Sequence, residues 1–565
     1  MTASLNPGLV LILGALVVPF LRGPLKAAWM LMLPVAGFAV ALGLEPGLHG
    51  QIQVFALKLV TLRVDKLALA FSYVFLIAAF VGILFSLNDD DPVQQVSGLI
   101  YAGAAIAAVF AGDLATLFVY WELTAIASVF LIWARGTDRA YRAGMRYLII
   151  QVGSGVILFS GALLHFSQTG SLEFGRIGTD GLGGKLILLA FGIKCAFPLL
   201  HSWLEDAYPE ATVGGTVMLS AFTTKLAVYA LARGYAGTEF LIWIGAAMTA
   251  FPIFYAVIEN DLRRVLAYSL NNQLGFMVVG VGVGTEMAIN GTVAHAFSHI
   301  LYKALLFMSM GAVLYRTGTV KATELGGLYR TMPWTMGFCC VGAASISAFP
   351  LFSGFISKAM IITAAADGGY WGVWAILLFA SAGVFHHSGI KIPFFAFFAH
   401  DSGKRPAEAP LNMLIAMGIA AALCIGIGVW PKPLYDLLPF AVDFKPYTAA
   451  HVITQLQLLL FSALAFAFLM RTGLYPPELR SVNIDVEIVY RKFLPWLVRH
   501  VGAAIVRIRE EFVQTFRDGL AVALRFVHRH HGPDGALARI LPTGSMVFVV
   551  VLLLAGYLVL YLTRG

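Results

Sequence analysis

Charge is what this sequence has least of. Only 12% of its 565 residues are Asp, Glu, Lys or Arg, about half the share of an ordinary soluble domain, which excludes a soluble globular protein. Cysteine is also scarce. Cys195, Cys339, Cys340 and Cys424 all lie in apolar segments and none has a CxxC partner, so a disulfide framework or zinc site is not expected. No basic residue precedes the apolar run in MTASLNPGLVLILGALVVPFL. That start is expected to be a retained span rather than a cleaved signal. P-loop, nucleophile-elbow and haem motifs are absent. The glycines of Gly280-Val-Gly-Val-Gly284 lack the strand–turn–helix setting of a dinucleotide fingerprint. His386-His387 has no carboxylate or thiol nearby to complete a metal site. Covalent catalysis by this chain, a cofactor and a metal are therefore not expected.

Apolar residues make up 59% of the chain and the mean hydropathy is +0.83. The expected fold is an all-α polytopic membrane protein. Windows of about 19 residues mark sixteen candidate spans near 7–22, 27–44, 66–87, 97–111, 113–134, 143–166, 184–203, 213–234, 240–258, 263–283, 289–315, 335–366, 371–398, 410–430, 451–470 and 543–563. Alternation in QIQVFALKLVTLRVD (51–65) suggests a short hairpin outside the membrane. The net charge of +8 gathers in loops and one C-terminal stretch, as topology and anionic lipid require, and no nucleic-acid reader motif accompanies it. Arg22, Lys26, Arg135, Arg139, Arg142, Arg263, Arg264, Arg316, Lys321, Arg330, Lys404 and Arg405 fall on one side, and the opposite loops carry fewer apart from the Lys58, Arg63 and Lys66 cluster. The positive-inside rule makes that side cytoplasmic and places the N-terminus outside.

Residues 484–531 differ. Val489, Phe493, Trp496, Leu497, Val501, Ile505, Ile508, Phe512 and Phe516 recur mostly every three or four positions, with Arg and Lys on the other face. This predicts an amphipathic helix in the membrane interface, kinked at Pro495 and ended by Gly532-Pro533. A disordered basic tail would not keep that period.

Five ionisable side chains stand inside apparent spans. They are Glu122, Lys194, Lys225, Lys303 and Lys358. Each costs at least about 2.5–3.5 kcal/mol at bilayer depth and so points to an ion or proton path. Pro198 follows Lys194, and Pro350 and Gly354 precede Lys358, which predicts broken spans at both. Two such breaks in separate halves suggest inverted repeats with a site in each. The alternative for each lysine is a side chain reaching to the interface. Glu122 is expected to pair with Lys194, or else to sit protonated against a neighbouring helix. His295, His299 and Lys303 recur every fourth residue, on one face of one helix, where histidine suits a proton relay. Lys391, in SGIKIPFF, is either a further relay member or a membrane-edge residue.

WEL around Glu122, IKCAFPLLHSWLEDAYPEA, LSAFTTKLAVYALAR, DLRRVLAYSLNNQLGFM, HAFSHILYKALLFMSMG and FPLFSGFISKAMI occur in an order that resembles the antiporter-like membrane subunits of respiratory complex I. They resemble more closely still the Mrp-type multisubunit cation/proton antiporters, in particular their D-type subunits. The resemblance covers roughly 60–430. It implies two inverted five-helix repeats and a proton-conducting axis at Glu122, Lys194, Lys225 and Lys358. Where the family usually writes WLPDA, this chain has Trp203-Leu204-Glu205-Asp206-Ala207. The amphipathic stretch and last span resemble instead the lateral helix of the distal complex I subunit.

The expected organisation is N-terminal spans over 1–96, a first antiporter-like repeat over 97–234, a second over 240–398, further spans over 410–470, the lateral helix over 484–541 and a final span over 543–563. The expected function is that of a proton-translocating subunit of an Mrp-like antiporter in the cell inner membrane. Its expected partners are other membrane subunits, protons, Na+ or K+, and lipid, but no nucleic acid. Two further readings stand beside it: the distal pumping subunit of a complex I-like redox assembly, and a proton-channel partner of an inorganic-carbon uptake system.

Overall fold

The computed structural model describes residues 5–54, 57–475, 479, 483, 485–535 and 538–564. The tip of the expected hairpin (55–56) and the expected start of the lateral helix (484) lie outside the described residues.

The chain divides into Met1–Asp485 and Val486–Gly565. In the first unit, α1 (Pro7–Ala15) and α2 (Gly23–Leu42) lead into strands β1 (Gly47–Val54) and β2 (Leu57–Val64), then α3 (Lys66–Phe85), α4 (Pro92–Val109), α5 (Leu114–Trp133) and α6 (Asp138–Thr169). Next come α7 (Leu182–Lys194), α8 (Ser202–Ala207), α9 (Val213–Ala221), α10 (Thr223–Gly234), α11 (Phe240–Ile258), α12 (Leu262–Val283) and α13 (Glu286–Thr317). They are followed by α14 (Pro333–Ile346), α15 (Ser353–Asp367), α16 (Trp371–Val384), α17 (Lys391–Pro393), α18 (Leu411–Val429), α19 (Lys432–Asp436) and α20 (Ala449–Thr472). The second unit holds α21 (Leu494–His531) and α22 (Thr543–Thr563).

Among the described residues 12 helical segments are long and apolar enough to cross a membrane. The other expected spans appear as α1, as α12, and as two broken spans, α7 with α8 and α14 with α15. This is a multi-pass helical membrane protein.

Two halves repeat one local design. Asp113 caps α5 and Asp261 caps α12 through side-chain acceptance of first-turn N–H groups, which satisfies donors that have no partner inside the helix. Leu114 N donates to Leu172 O, and Leu262 N to Val320 O, so each start is tied to the strap behind a 32-residue helix, α6 or α13. The fourth span of each half then breaks at the same four residues, Ala196-Phe197-Pro198-Leu199 and Ala348-Phe349-Pro350-Leu351. Ala196 (φ 60°), Leu199 (φ 70°), Ala348 (φ 56°) and Leu351 (φ 75°) are left-handed without being glycine. Strain of that kind gathers at functional segments. Five crossings separate equivalent points, so the two repeats are inverted.

The expected hairpin is antiparallel but starts earlier than position 51, with Gly47 opposite Val64. Proline does not kink α21 internally. A π-helical turn at Val489–Phe493 precedes it and Pro495 sits in its first turn, where its missing N–H costs nothing. Helix α21 ends at His531 with Gly532 as cap, as expected, and its apolar stripe is exposed.

Candidate functional site

The buried cations gather where backbone regularity fails. Lys194 is the last residue of α7 and is fully buried. Its Nζ donates to Trp121 O at 2.6 Å and Thr124 Oγ1 at 2.9 Å, and lies 4.3 Å from the Trp121 ring centroid. Glu122 is half-buried on α5, with Oε1 buried and unpartnered, and its carboxyl packs against Gly155 of α6. The expected direct ion pair is not formed: no Lys194 nitrogen lies within 4.0 Å of the Glu122 carboxylate. Successive residues of a helix point about 100° apart. Lys194 has taken the backbone and hydroxyl acceptors on the Trp121 side, while Glu122 faces α6.

Lys225 follows an interruption between α9 and α10 at Phe222, and its Nζ donates to Ser220 O at 2.6 Å. On α13, His295, His299 and Lys303 are all fully buried. His295 Nδ1 is 3.0 Å from Ser357 Oγ on α15, but both His299 nitrogens and Lys303 Nζ have no partner. Tyr302 OH donates to Gln273 Oε1 at 3.0 Å and Gln273 Nε2 to Asn272 Oδ1 at 2.6 Å, so polar groups of α12 line the same face. Buried polar atoms are rarely left unsatisfied by protein or water. His299 and Lys303 are exceptions to that rule among the described residues. Lys358 does not mirror Lys194 within its break. It lies on the half-helix after the break and reaches back, Nζ donating to Ile346 O at 2.7 Å.

Lys391 Nζ donates to Val257 O (2.6 Å), Glu259 O (2.7 Å) and Ala256 O (3.3 Å), at the end of α11. Three carbonyls that end a helix thus hold the Lys391 ammonium, as the helix dipole favours. The turns flanking Lys391 are π-helical, Phe385–Ile390 and Phe394–Phe398. Pro393 lacks an N–H and crowds the carbonyl a turn before it, which accounts for the widening of the first of these turns.

Several buried groups were not singled out by sequence. Arg263 of α12 donates to Ala211 O (3.0 Å), Thr212 O (3.1 Å) and Thr216 Oγ1, joining the second repeat to the first. His201, Glu205 and Asp485 are also buried. His201 and Glu205 stand in the apolar run LLHSWLEDA, where any ionisable group is a signal. Nothing local marks Asp485. Among the described residues no group of three or more His, Cys, Asp or Glu is arranged to hold a metal.

The family described as NADH:quinone oxidoreductase/Mrp antiporter, TM, matches residues 111–385. The D-type component of a Na(+)/H(+) antiporter from Alkalihalophilus pseudofirmus is 30% identical over 355 residues, covering 58% of this chain and 71% of that protein. The chain belongs to this family. Hydrogenase-4 component B of Escherichia coli, another relative, is 27% identical over 427 residues, covering 66% of this chain and 63% of that protein. In fold, the chain matches a component of the Mrp complex from a Dietzia species with TM-score 0.69 and 22% identity, covering 80% of this chain and 100% of that one. A component of an archaeal membrane-bound sulfane sulfur reductase matches equally, with TM-score 0.69 and 24% identity, covering 81% of this chain and 99% of that one. Within this antiporter-type family member, residues 111–385 hold both broken spans and every buried lysine named above except Lys391.

Proposed function

We infer that this chain is a proton-translocating membrane subunit of an Mrp-like monovalent cation/proton antiporter complex, with protons moving along Glu122, Lys194, Lys225, His299, His295, Lys303 and Lys358. One observation carries the reading. Four lysines are at most 1% exposed, at or beside helix interruptions or on the polar face of α13, and among the described residues no carboxylate lies within 4.0 Å of any of them. A structural lysine so deep would carry a counter-ion. One that exchanges protons needs only an alternating neighbour. Lysine releases its proton readily when desolvated, and the unpartnered His299 and Lys303 leave room for transfer.

A second reading, the distal subunit of a complex I-like assembly, is favoured by α21 followed by α22, an amphipathic basic helix and then a span. In either assembly, α21 suits an anionic lipid surface or a neighbouring membrane subunit.

In everted vesicles that carry the whole complex, Na+ or K+ should dissipate a preformed proton gradient. Lys225→Ala should slow that by at least about tenfold at equal protein content. Parent activity in Lys225→Ala would overturn the proton-path reading, and proton movement driven only by a reductant would favour the second assembly.

A further inference from the structure

Glu205 stands on α8, the second half of the first broken span. It is 2% exposed and neither carboxylate oxygen has a hydrogen-bond partner. A buried carboxylate with no donor is costly, and its neighbours explain why it is kept. The charged groups that act on it are His201, Asp485 and Arg264. From α6, Arg146 is committed to Asp206 through a two-point contact at 2.7 and 3.0 Å. From α12, Arg264 Nε donates to the Glu205 backbone carbonyl at 3.2 Å, not to its carboxylate, and Tyr268 OH donates to Asp485 Oδ2 at 2.9 Å. His201 Nε2 lies 3.3 Å from that same Asp485 oxygen, and its Nδ1 is unpartnered.

Tyr208 follows directly on α8. It is fully buried and its hydroxyl has no hydrogen-bond partner. Beyond it, Tyr101 OH and Thr223 Oγ1 are 2.7 Å apart, and Thr223 N donates to Tyr101 OH at 3.0 Å. Tyr147 OH is 2.8 Å from Ser128 Oγ. Thr223 opens α10, two residues before Lys225.

We propose that Glu205 is a proton-exchange group at the cytoplasmic end of the path, titrating together with His201 and Asp485, and that the hydroxyls of Tyr208, Tyr101 and Thr223 relay protons between it and Lys225. The assignment rests on the proton-path reading above. Glu205 alternates between carboxylate and carboxyl. Each hydroxyl accepts a proton on its oxygen and releases its own to the next, so none changes its net protonation. The charge pattern that makes the Arg135–Arg264 side cytoplasmic makes this the end at which antiported protons leave.

The test uses the whole complex in everted vesicles. Glu205→Gln, which keeps shape but carries no proton, should slow cation-driven proton movement on the order of 10²-fold. It should also remove a carboxyl band from the infrared difference spectrum taken across a pH step. Tyr208→Phe deletes only an unpartnered hydroxyl, a change that leaves folding intact, and should slow transport about tenfold. If Glu205→Gln and Tyr208→Phe both move protons at the parent rate while Lys225→Ala is inactive, the Glu205 assignment is overturned and the antiporter reading stands. Parent-rate movement in Lys225→Ala would overturn the antiporter reading itself.

Discussion

Lys194 Nζ donates to Trp121 O at 2.6 Å, one residue before Glu122 on the same helix. The two ionisable groups are thus neighbours in the fold but do not touch. Coupling between them acts through space, about 4 kcal/mol per unit charge at 4 Å in a partly hydrated site and less at longer range, rather than through a shared hydrogen bond.

That arrangement separates two outcomes. Glu122→Gln should leave the Lys194 contacts intact and the protein inserted, yet reduce proton movement about tenfold or more, because the charge that biases Lys194 is gone. Lys194→Ala should abolish transport and free the Trp121 carbonyl. Vesicle gradient-dissipation assays at matched protein content check both, and full activity in Glu122→Gln would remove Glu122 from the path.

At Lys358, arginine and glutamate should behave differently. Lys358→Arg keeps a cation beside Ile346 O but cannot release a proton near neutral pH, so transport should fall on the order of 10²-fold. Lys358→Glu should keep part of the rate, since a buried carboxyl also titrates. Equal rates for Lys358→Arg and the parent would make Lys358 a fixed charge.

Lys391 should act on stability first. Its three bonds to the end of α11 are charge-assisted, and losing a set of that kind costs roughly 1.5–3 kcal/mol. Lys391→Met should lower the thermal midpoint of the detergent-purified protein, whereas Lys391→Arg should keep both midpoint and transport. A transport defect in Lys391→Arg at unchanged midpoint would instead make Lys391 a proton carrier.

Asp65, which caps α3, gives a pH signature. Burial pushes its carboxyl up, but the Arg233 hydrogen bond and charge outweigh that and hold it below the ordinary carboxylate value. A carboxyl lowered in the folded state stabilises above its unfolded value, and that contribution disappears as pH falls through the lower folded value. Asp65→Asn should therefore be less stable than the parent at neutral pH, with the difference vanishing in acid below the normal carboxylate range. Denaturation midpoints across that range test it, and a gap that persists in acid would contradict it.

The spans, the interrupted helices and the buried lysines were legible in the sequence because hydrocarbon imposes them locally. A run of apolar residues must close its own backbone hydrogen bonds, and a proline or lysine inside one is conspicuous wherever the chain goes. The repeated Ala-Phe-Pro-Leu at 196–199 and 348–351 is such a signal, fixed by four residues at a time. Contacts between distant segments were not legible. The turn of Glu122 away from Lys194, the capture of Lys391 by the end of α11, and the meeting of Asp485 with His201 and Tyr268 depend on where helices far apart in the chain come to lie. Periodicity assigns a residue to a face of its own helix. Only packing decides which carbonyl, ring or hydroxyl faces it from the next one, and for a charge in a low-dielectric interior that neighbour decides what the residue can do.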